Sequence, residues 1–234
     1  MDFANIKEAL DLTLFWEYRR TFFAGLAFNF YVFFLAAVLA ICLGFLACML
    51  RLSRHGVLRA VGTVHAELFR NGPEYVLLVW VHFVLPLILT AIFIFKINFA
   101  PFLSAVLALG LSYSGYFTET FRAGILAIPK GHIDAGRALG MSRLLILRRI
   151  ILPQAVRQML PEGMNQLISL FKATTLVSLI AVPDLLYQVE IVTAQEMRPL
   201  PLFSGAAITY FSLIFAMSSL VRMITDRWRT KGWA

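Results

Sequence analysis

The chain has only two cysteines, Cys42 and Cys48, and both lie inside one long apolar run. A spacing of six residues does not place the two side chains on the same face of a helix. The pair therefore provides neither a disulfide framework nor the paired spacing of a zinc site. We expect both cysteines to pack against lipid or neighbouring helices, and we expect no metal site.

Charged residues are also scarce. Lys, Arg, Asp and Glu make up 15% of the 234 residues, whereas hydrophobic residues make up 60% and include 21 phenylalanines. Soluble domains are about 25% charged and about 45–50% apolar. One soluble core of this size has no room for the excess, so the composition predicts an all-α integral membrane protein.

Catalytic and nucleotide-binding motifs are missing as well. No Gly-Lys dipeptide occurs, which excludes a Gly-x-x-x-x-Gly-Lys-Ser/Thr phosphate loop, and neither His-Glu-x-x-His nor Gly-x-Ser-x-Gly is present. The four histidines are scattered and do not make a ligand set. We therefore expect no enzymatic activity and no cofactor in this chain. If a nucleotide drives its function, another subunit must bind that nucleotide.

Five segments are long enough to cross a bilayer, whose hydrocarbon core needs about 20 apolar residues per helix. We predict spans at about residues 21–50, 75–95, 101–121, 160–182 and 202–222, forming one transmembrane domain over residues 1–234. Residues 1–20 mix charges with apolar residues at helical spacing, which predicts an amphipathic helix at the membrane interface.

The basic residues flank the apolar segments and form no cluster interleaved with aromatic residues, so the net charge of +8 does not indicate nucleic-acid binding. The connections 51–74 and 122–158 and the C-terminal segment from 222 carry fifteen of the 21 Lys and Arg, and the opposite side carries five. Because basic connections stay inside, these three segments are predicted to be cytoplasmic and the N-terminus to lie outside.

A polar stretch separates the third and fourth predicted spans. It runs Gly131-His-Ile-Asp-Ala-Gly-Arg-Ala-Leu-Gly-Met-Ser-Arg143 and continues into Arg148-Arg-Ile-Ile-Leu-Pro153. We predict a helix over 133–141 with Asp134 in its first turn, where the positive end of the helix favours a carboxylate. Small residues keep this helix thin, which suits a helix that lies in a groove of another protein. The alternative is a surface loop that only joins two spans.

The same stretch resembles the "EAA" loop of permease subunits of bacterial ABC importers. The family pattern is Glu-Ala-Ala, three residues, Gly and, further on, Ile-x-Leu-Pro. Asp134 stands in place of Glu and Gly136 in place of the second Ala, both conservative departures, whereas Ala135, Gly140, Ile150, Leu152 and Pro153 match the pattern. Three more stretches resemble the polar amino acid branch of this family: Phe69-Arg-Asn-Gly-Pro73, Glu119-x-x-Arg-Ala-Gly124 and Lys172-Ala-Thr-Thr-Leu-Val-Ser178. Their order and their positions relative to the spans make the set specific.

The resemblance implies a type I ABC importer permease fold with about five transmembrane helices and a cytoplasmic coupling helix in the loop 129–153. It implies a multi-pass subunit of the bacterial cytoplasmic (inner) membrane that imports polar amino acids of the histidine, glutamate, aspartate or arginine type. The implied partners are ABC ATPase subunits, a second permease subunit, a solute-binding protein, the amino acid substrate and the lipid bilayer. The residues implied to couple the subunit to its ATPase are Asp134, Ala135, Gly136, Gly140 and Pro153.

Charged side chains at membrane depth are costly and are candidates for the substrate pathway. Our candidates are Arg70, Glu119, Lys172 and Thr174, because an amino acid needs opposite charges or helix ends for its carboxylate and its ammonium group. Simpler explanations are that Arg70 caps the break before Pro73, that Glu119 only pairs with Arg122, and that Lys172 snorkels.

Two other functions are alternatives to an importer subunit. A stand-alone secondary transporter would be expected to show an internal repeat, and none is evident. A non-transporting membrane scaffold would not explain Lys172 within a span. The sequence leaves open which amino acid is carried and whether the second permease subunit is the same chain or a related one.

Overall fold

The computed structural model describes residues 11–230, with side chains as far as Asp226. The helices are α1 (Thr13–Glu17), α2 (Arg19–Arg51), α3 (Gly56–Asn71), α4 (Glu74–Val79), α5 (Leu85–Phe93), α6 (Pro101–Leu126), α7 (Lys130–Ala138), α8 (Arg143–Ile146), α9 (Leu152–Ala173), α10 (Leu185–Glu196) and α11 (Pro199–Thr230). No strand occurs among the described residues, and the predicted all-α class is confirmed. The interfacial helix predicted over 1–20 falls partly on residues 1–10, which lie outside the described range.

Helices cover each of the five segments predicted to span the membrane. Arg19–Arg51, Glu74–Phe93 and Pro199–Asp226 are long and apolar enough to cross a bilayer. The segments Arg143–Ile180 and Leu185–Glu196, which meet at a bend of 44°, add a fourth crossing if they act as one broken span. Within the described chain α6 does not join this set, because serine, threonine and tyrosine side chains interrupt its apolar sequence. Five crossings therefore remain a prediction.

Two π-helical turns each end two residues before a proline. Trp80–Val84 joins α4 to α5 before Pro86, and Leu147–Ile151 joins α8 to α9 before Pro153. A proline has no N–H to donate, and its ring clashes with the carbonyl four residues earlier. The wider π turn lets the helix continue past that carbonyl without breaking. Pro161, in contrast, lies inside α9 without such a turn.

Contacts between residues divide the described chain into two structural units. The first unit comprises residues 11–37, 73–110 and 168–218, and the second comprises residues 38–72, 111–167 and 219–230. The first unit has an apolar core that α1, α2, α10 and α11 share. Its members are Leu14, Phe22, Leu26, Leu185, Val189, Val192, Leu202 and Ala206.

The second unit packs its helices with their backbones close together. A Cβ added to Gly44 of α2 would lie 2.7 Å from the Cβ of Phe117 in α6. A Cβ added to Gly62 of α3 would lie 2.6 Å from the carbonyl oxygen of Ala47 in α2. Such small-residue contacts are typical of helix pairs in membranes, where dispersion contacts replace the hydrophobic drive for association.

Candidate functional site: an exposed helix on a π turn, and charged helix ends

The polar stretch between the third and fourth predicted spans forms a separate helix, α7, which begins at Lys130. The prediction that Asp134 lies in the first turn is wrong, because the helix starts three residues earlier than expected. Asp134 instead accepts a hydrogen bond from Arg137, with 3.0 Å between Oδ1 and Nη1. Both side chains are about two-thirds exposed, at 65% and 67%. This ion pair is therefore a surface pair and contributes little to stability.

One face of α7 packs on the π turn that leads into α9. A Cβ added to Gly136 would lie 2.7 Å from Cδ1 of Ile150 and 3.2 Å from Cγ1 of Ile146. At the N-terminal end of the helix, the Nδ1 of His132 lies 2.8 Å from Oε1 of Gln154. The absence of a side chain at position 136 thus allows α7 to lie directly against the isoleucines. Pro153 lies at the start of α9, two residues after the π turn.

The other end of α7 is open to solvent. Leu139 follows the helix and is 80% exposed. Gly140 has a φ of +71°, a left-handed conformation that favours glycine, and an added Cβ would meet nothing within 4 Å. This glycine turns the chain from α7 towards Ser142, whose hydroxyl accepts from the Leu145 amide and caps α8. An exposed leucine at the tip of a thin helix provides a surface that another protein can cover.

Two of the predicted pathway residues, Arg70 and Glu119, belong to one network of ions in the second unit. Arg51, at the end of α2, forms ion pairs with Glu119 of α6 and, at 3.6 Å, with Glu67 of α3. Glu119 also accepts from Nε of Arg122 at 2.9 Å, and Arg70 pairs with Glu67 at 3.2 Å. The side chains of Arg51 and Glu119 are both 18% exposed.

The network holds the carboxylate of Glu67 in its charged form. The pKa of Glu67 lies below its usual value, first because Asn71 donates a hydrogen bond to Oε2 at 2.8 Å. The positive charge of Arg70 is the next cause. Because a lowered pKa means that the folded state favours the charged carboxylate, this contribution is present above the unfolded pKa and is lost as the pH falls through the folded value.

The other two predicted pathway residues, Lys172 and Thr174, belong to the first unit. Lys172 lies in the last turn of α9, where the negative end of a helix favours a cation, and its side chain is exposed on the single chain. Thr174 is fully buried, and its hydroxyl donates to the carbonyl oxygen of Phe171 at 2.7 Å. It begins a seven-residue 3₁₀ segment, Thr174–Ile180, that ends the helical run.

Two sets of interacting polar side chains were not predicted from the sequence. Glu162 and Gln166 form a hydrogen bond of 2.7 Å on α9, inside the fourth predicted span, and the exposed Asn165 lies between them in the sequence. A buried cluster of Asn29, Asp184 and Tyr210 ties together parts of the first unit. The signal for both was a polar side chain at membrane depth, which usually has a partner or a function.

The described residues contain no group of three or more His, Cys, Asp or Glu arranged to hold a metal ion. Several helices are long enough to span a bilayer, and the polar helix α7 packs on the turn that leads into α9. These features define a multi-span helical membrane protein. Comparison with known proteins identifies its family. The model of the family described as "Binding-protein-dependent transport system inner membrane component" matches residues 40–230.

Similar proteins agree with this assignment over most of their length. The "Probable glutamine ABC transporter permease protein GlnP" of Bacillus subtilis is 31% identical, over 97% of this chain and 99% of the relative. The "L-cystine transport system permease protein TcyB" of the same organism is 33% identical, over 82% and 80%. A solved structure of "an amino acid ABC transporter with histidines" has a TM-score of 0.82 and 29% identity, over 93% and 99%.

The chain therefore belongs to the family of inner membrane components of binding-protein-dependent transport systems. The predicted resemblance to an ABC importer permease is confirmed, as are the predicted fold class and the expectation that the chain is a transport subunit and not an enzyme. A family defined by this description is one component of a larger system. The chain accordingly works with a solute-binding protein and with ATPase subunits, which are separate chains.

Proposed function

We propose that this chain, paired with a second permease subunit of the same or a related sequence, imports a polar amino acid across the bacterial inner membrane. A solute-binding protein delivers the substrate from outside. ATPase subunits bind α7 from the cytoplasm and drive the spans between outward-open and inward-open states. The full-length similarity to permeases named for glutamine and cystine supports a polar amino acid as the substrate.

The observation that carries this proposal is the geometry of α7. Its inner face packs on the π turn through Gly136 and contacts the start of α9 through His132, whereas Leu139 is 80% exposed. A subunit that grips the exposed tip would therefore move the start of α9 as well. The charge distribution of the sequence, which assigns residues 122–158 to the cytoplasm, supports an ATPase as the occupant.

The substrate pathway remains a proposal for Arg70, Glu119, Lys172 and Thr174. The ion pairs of Glu119 with Arg51 and Arg122 favour a structural role for this carboxylate in the state described here. Lys172 is the stronger candidate for a carboxylate ligand, because this residue is exposed beside the point where α9 changes into a 3₁₀ helix. We add Glu162, whose carboxylate at membrane depth is bonded to an uncharged amide, as a candidate for the ammonium group.

Reconstitution tests the proposal. The chain is assembled in proteoliposomes with its ATPase, and uptake of a panel of polar amino acids is measured with the binding protein present. We expect uptake to require ATP. Uptake that follows an ion gradient without ATP would instead support the secondary transporter.

The variant Gly140→Trp tests the role of α7 within this assay. A bulky side chain at the tip should block ATPase association while the spans stay folded. Gly140→Ala is the matched control, because it brings the same backbone strain at the left-handed position 140 without the bulk of the indole. Loss of association in the Trp variant alone would assign the effect to docking, and full transport by the Trp variant would make α7 a mere connector.

A further inference from the structure

The fourth predicted span is broken in an unusual way. After α9 the chain winds as a 3₁₀ helix for seven residues, whereas such runs seldom exceed about three or four residues. Ala181 then adopts a φ of +59°, a left-handed conformation that is unfavourable for a residue with a Cβ. Asp184 caps α10 by accepting from the Tyr187 amide at 2.9 Å. A long 3₁₀ stretch within a helical run marks either a hinge or a strained segment.

One side-chain amide bridges this break. The Nδ2 of Asn29, on α2, donates to Thr174 on the near side of the break, 3.2 Å from Oγ1 and 3.3 Å from the carbonyl oxygen. The same nitrogen lies 3.0 Å from Oδ2 of Asp184 on the far side. Its Oδ1 accepts from the Leu185 amide at 3.1 Å. Asn29 therefore uses both ends of its amide to join the two sides of the break.

The residues around the Asn29 amide are buried and closely packed. Asn29, Thr174 and Asp184 are each 0% exposed. Gly25 lies one turn before Asn29 on the same face of α2, and an added Cβ there would lie 2.7 Å from the carbonyl oxygen of Asp184. Glycine at this position therefore brings α2 close enough for the Asn29 amide to reach both sides of the break. Tyr210 of α11 completes the shell, with its hydroxyl 3.3 Å from Asn29 Oδ1 and 3.5 Å from Asp184 Oδ2.

We propose that Asn29 is a positioning residue for transport, whose amide holds the segment from Thr174 to Asp184 in its bent, 3₁₀ form. This inference rests on the proposed function. The competing form is a regular α-helix through 174–181, which the local sequence permits because neither Gly nor Pro interrupts it. A bilayer makes each unpaired buried polar group costly, so the amide network selects the bent form. We call this amide bridge the latch. Lys172 lies two residues before the segment and Thr174 is its first residue, so the latch fixes where both lie.

A charge swap tests the proposal in the assembled transporter. Asn29→Asp places two carboxylates where a 3.0 Å amide–carboxylate contact now lies, and we expect the transport rate to fall by about tenfold or more per assembled complex. Asp184→Asn should have a smaller effect, because Asn also caps helices well. The double variant Asn29→Asp/Asp184→Asn restores the donor–acceptor pair between positions 29 and 184 but not the donation to the Thr174 carbonyl oxygen, so it should recover part of the lost rate.

Hydrogen exchange supplies a readout that does not depend on transport. In Asn29→Leu we expect the amides of 174–188, including that of Leu185, to exchange faster by about tenfold, while the amides of α6 keep their wild-type rates. Tyr210→Phe removes only a hydroxyl from the same cluster. If the Asn29 variants fail to assemble, Tyr210→Phe is measured instead. We expect its amides at 174–188 to exchange faster than in the wild type, by less than in Asn29→Leu.

The possible outcomes distinguish a failure of the latch from a failure of the proposed function. Wild-type exchange at 174–188 in Asn29→Leu, or a double variant no better than Asn29→Asp, would overturn the latch even if the wild-type protein transports amino acids. Wild-type exchange at this segment in an assembled Tyr210→Phe variant would do the same. An altered exchange pattern together with a wild-type complex that imports no amino acid would instead contradict the proposed function.

Discussion

The Cδ1 of Ile150 occupies the space where a side chain at position 136 would begin, 2.7 Å from the position of an added Cβ on Gly136. No atom outside α7 lies nearer to the position of that added Cβ, so α7 packs directly on the π turn at Gly136. Any movement of α7 must therefore be transmitted to Ile150 or must break the contact.

We predict that enlarging Gly136 uncouples the two elements. Gly136→Leu should cost about 1–3 kcal/mol through overpacking and should reduce substrate-stimulated ATP hydrolysis in the assembled complex. Gly136→Ala should have a smaller effect, because the obstructing atom is the end of a flexible side chain. Adding Ile150→Val to Gly136→Ala removes that atom, so stimulation should recover.

Gly131 offers a matched control on the same helix, because an added Cβ there meets nothing within 4 Å. Gly131→Ala should leave stimulated hydrolysis unchanged. Alanine is a better helix former than glycine. Equal losses in Gly131→Ala and Gly136→Ala would therefore attribute the effect to a more rigid α7 and not to the contact with Ile150.

The sequence predicted α7 from composition but placed its first residue incorrectly. The helix was predicted to begin at residue 133, yet Lys130 and Gly131 are already helical, so Asp134 lies in the middle of the helix and not in its first turn. The pairing of Asp134 with Arg137 shows that a local ion pair at i,i+3 replaced the expected interaction with the helix end. Positions of helix ends depend on tertiary contacts, here those of His132 and Gly136, which no local pattern contains.

Contacts between residues far apart in the chain could not be predicted for the same reason. The pairing of Glu119 with Arg122 was foreseen because it is local, whereas that of Glu119 with Arg51 joins two helices far apart in the chain. Asn29 was a polar interruption of an apolar run, and its bond to Asp184 spans 155 positions. Composition and the positions of Gly and Pro therefore predicted which segments are helical, but they did not predict which polar side chains contact each other.

The ion pairs of Glu119 should matter more for stability than the pair on α7. Glu119→Gln leaves the partly buried Arg51 without its full counter-charge, which should cost about 1–3 kcal/mol. Asp134→Asn is a matched control, because it removes another i,i+3 pair whose partners are about two-thirds exposed, and it should cost at most about 1 kcal/mol. Thermal unfolding of the purified complex measures both, and equal shifts would mean that Glu119 has only a surface role.

Lys172 should act on the substrate more than on assembly. Lys172→Met keeps the aliphatic bulk and removes the charge, so the complex should assemble and retain basal ATP hydrolysis while transport falls strongly. Lys96→Met, in a predicted outer connection, is the control for a lost positive charge. Poor assembly with normal substrate affinity would indicate a structural amine, and wild-type rate and affinity would remove Lys172 from the pathway.

Site-specific crosslinking tests the central claim, the docking of α7 on an ATPase subunit, most directly. A photo-crosslinking residue in place of Leu139, which is 80% exposed, should trap the ATPase subunit in the assembled complex. The same residue in place of Ile94, which is 92% exposed and lies at the predicted outer end of the second span, should not. A crosslink to the ATPase at Leu139 alone is the predicted result, and its absence at Leu139 in a complex that hydrolyses ATP and transports substrate would contradict the account.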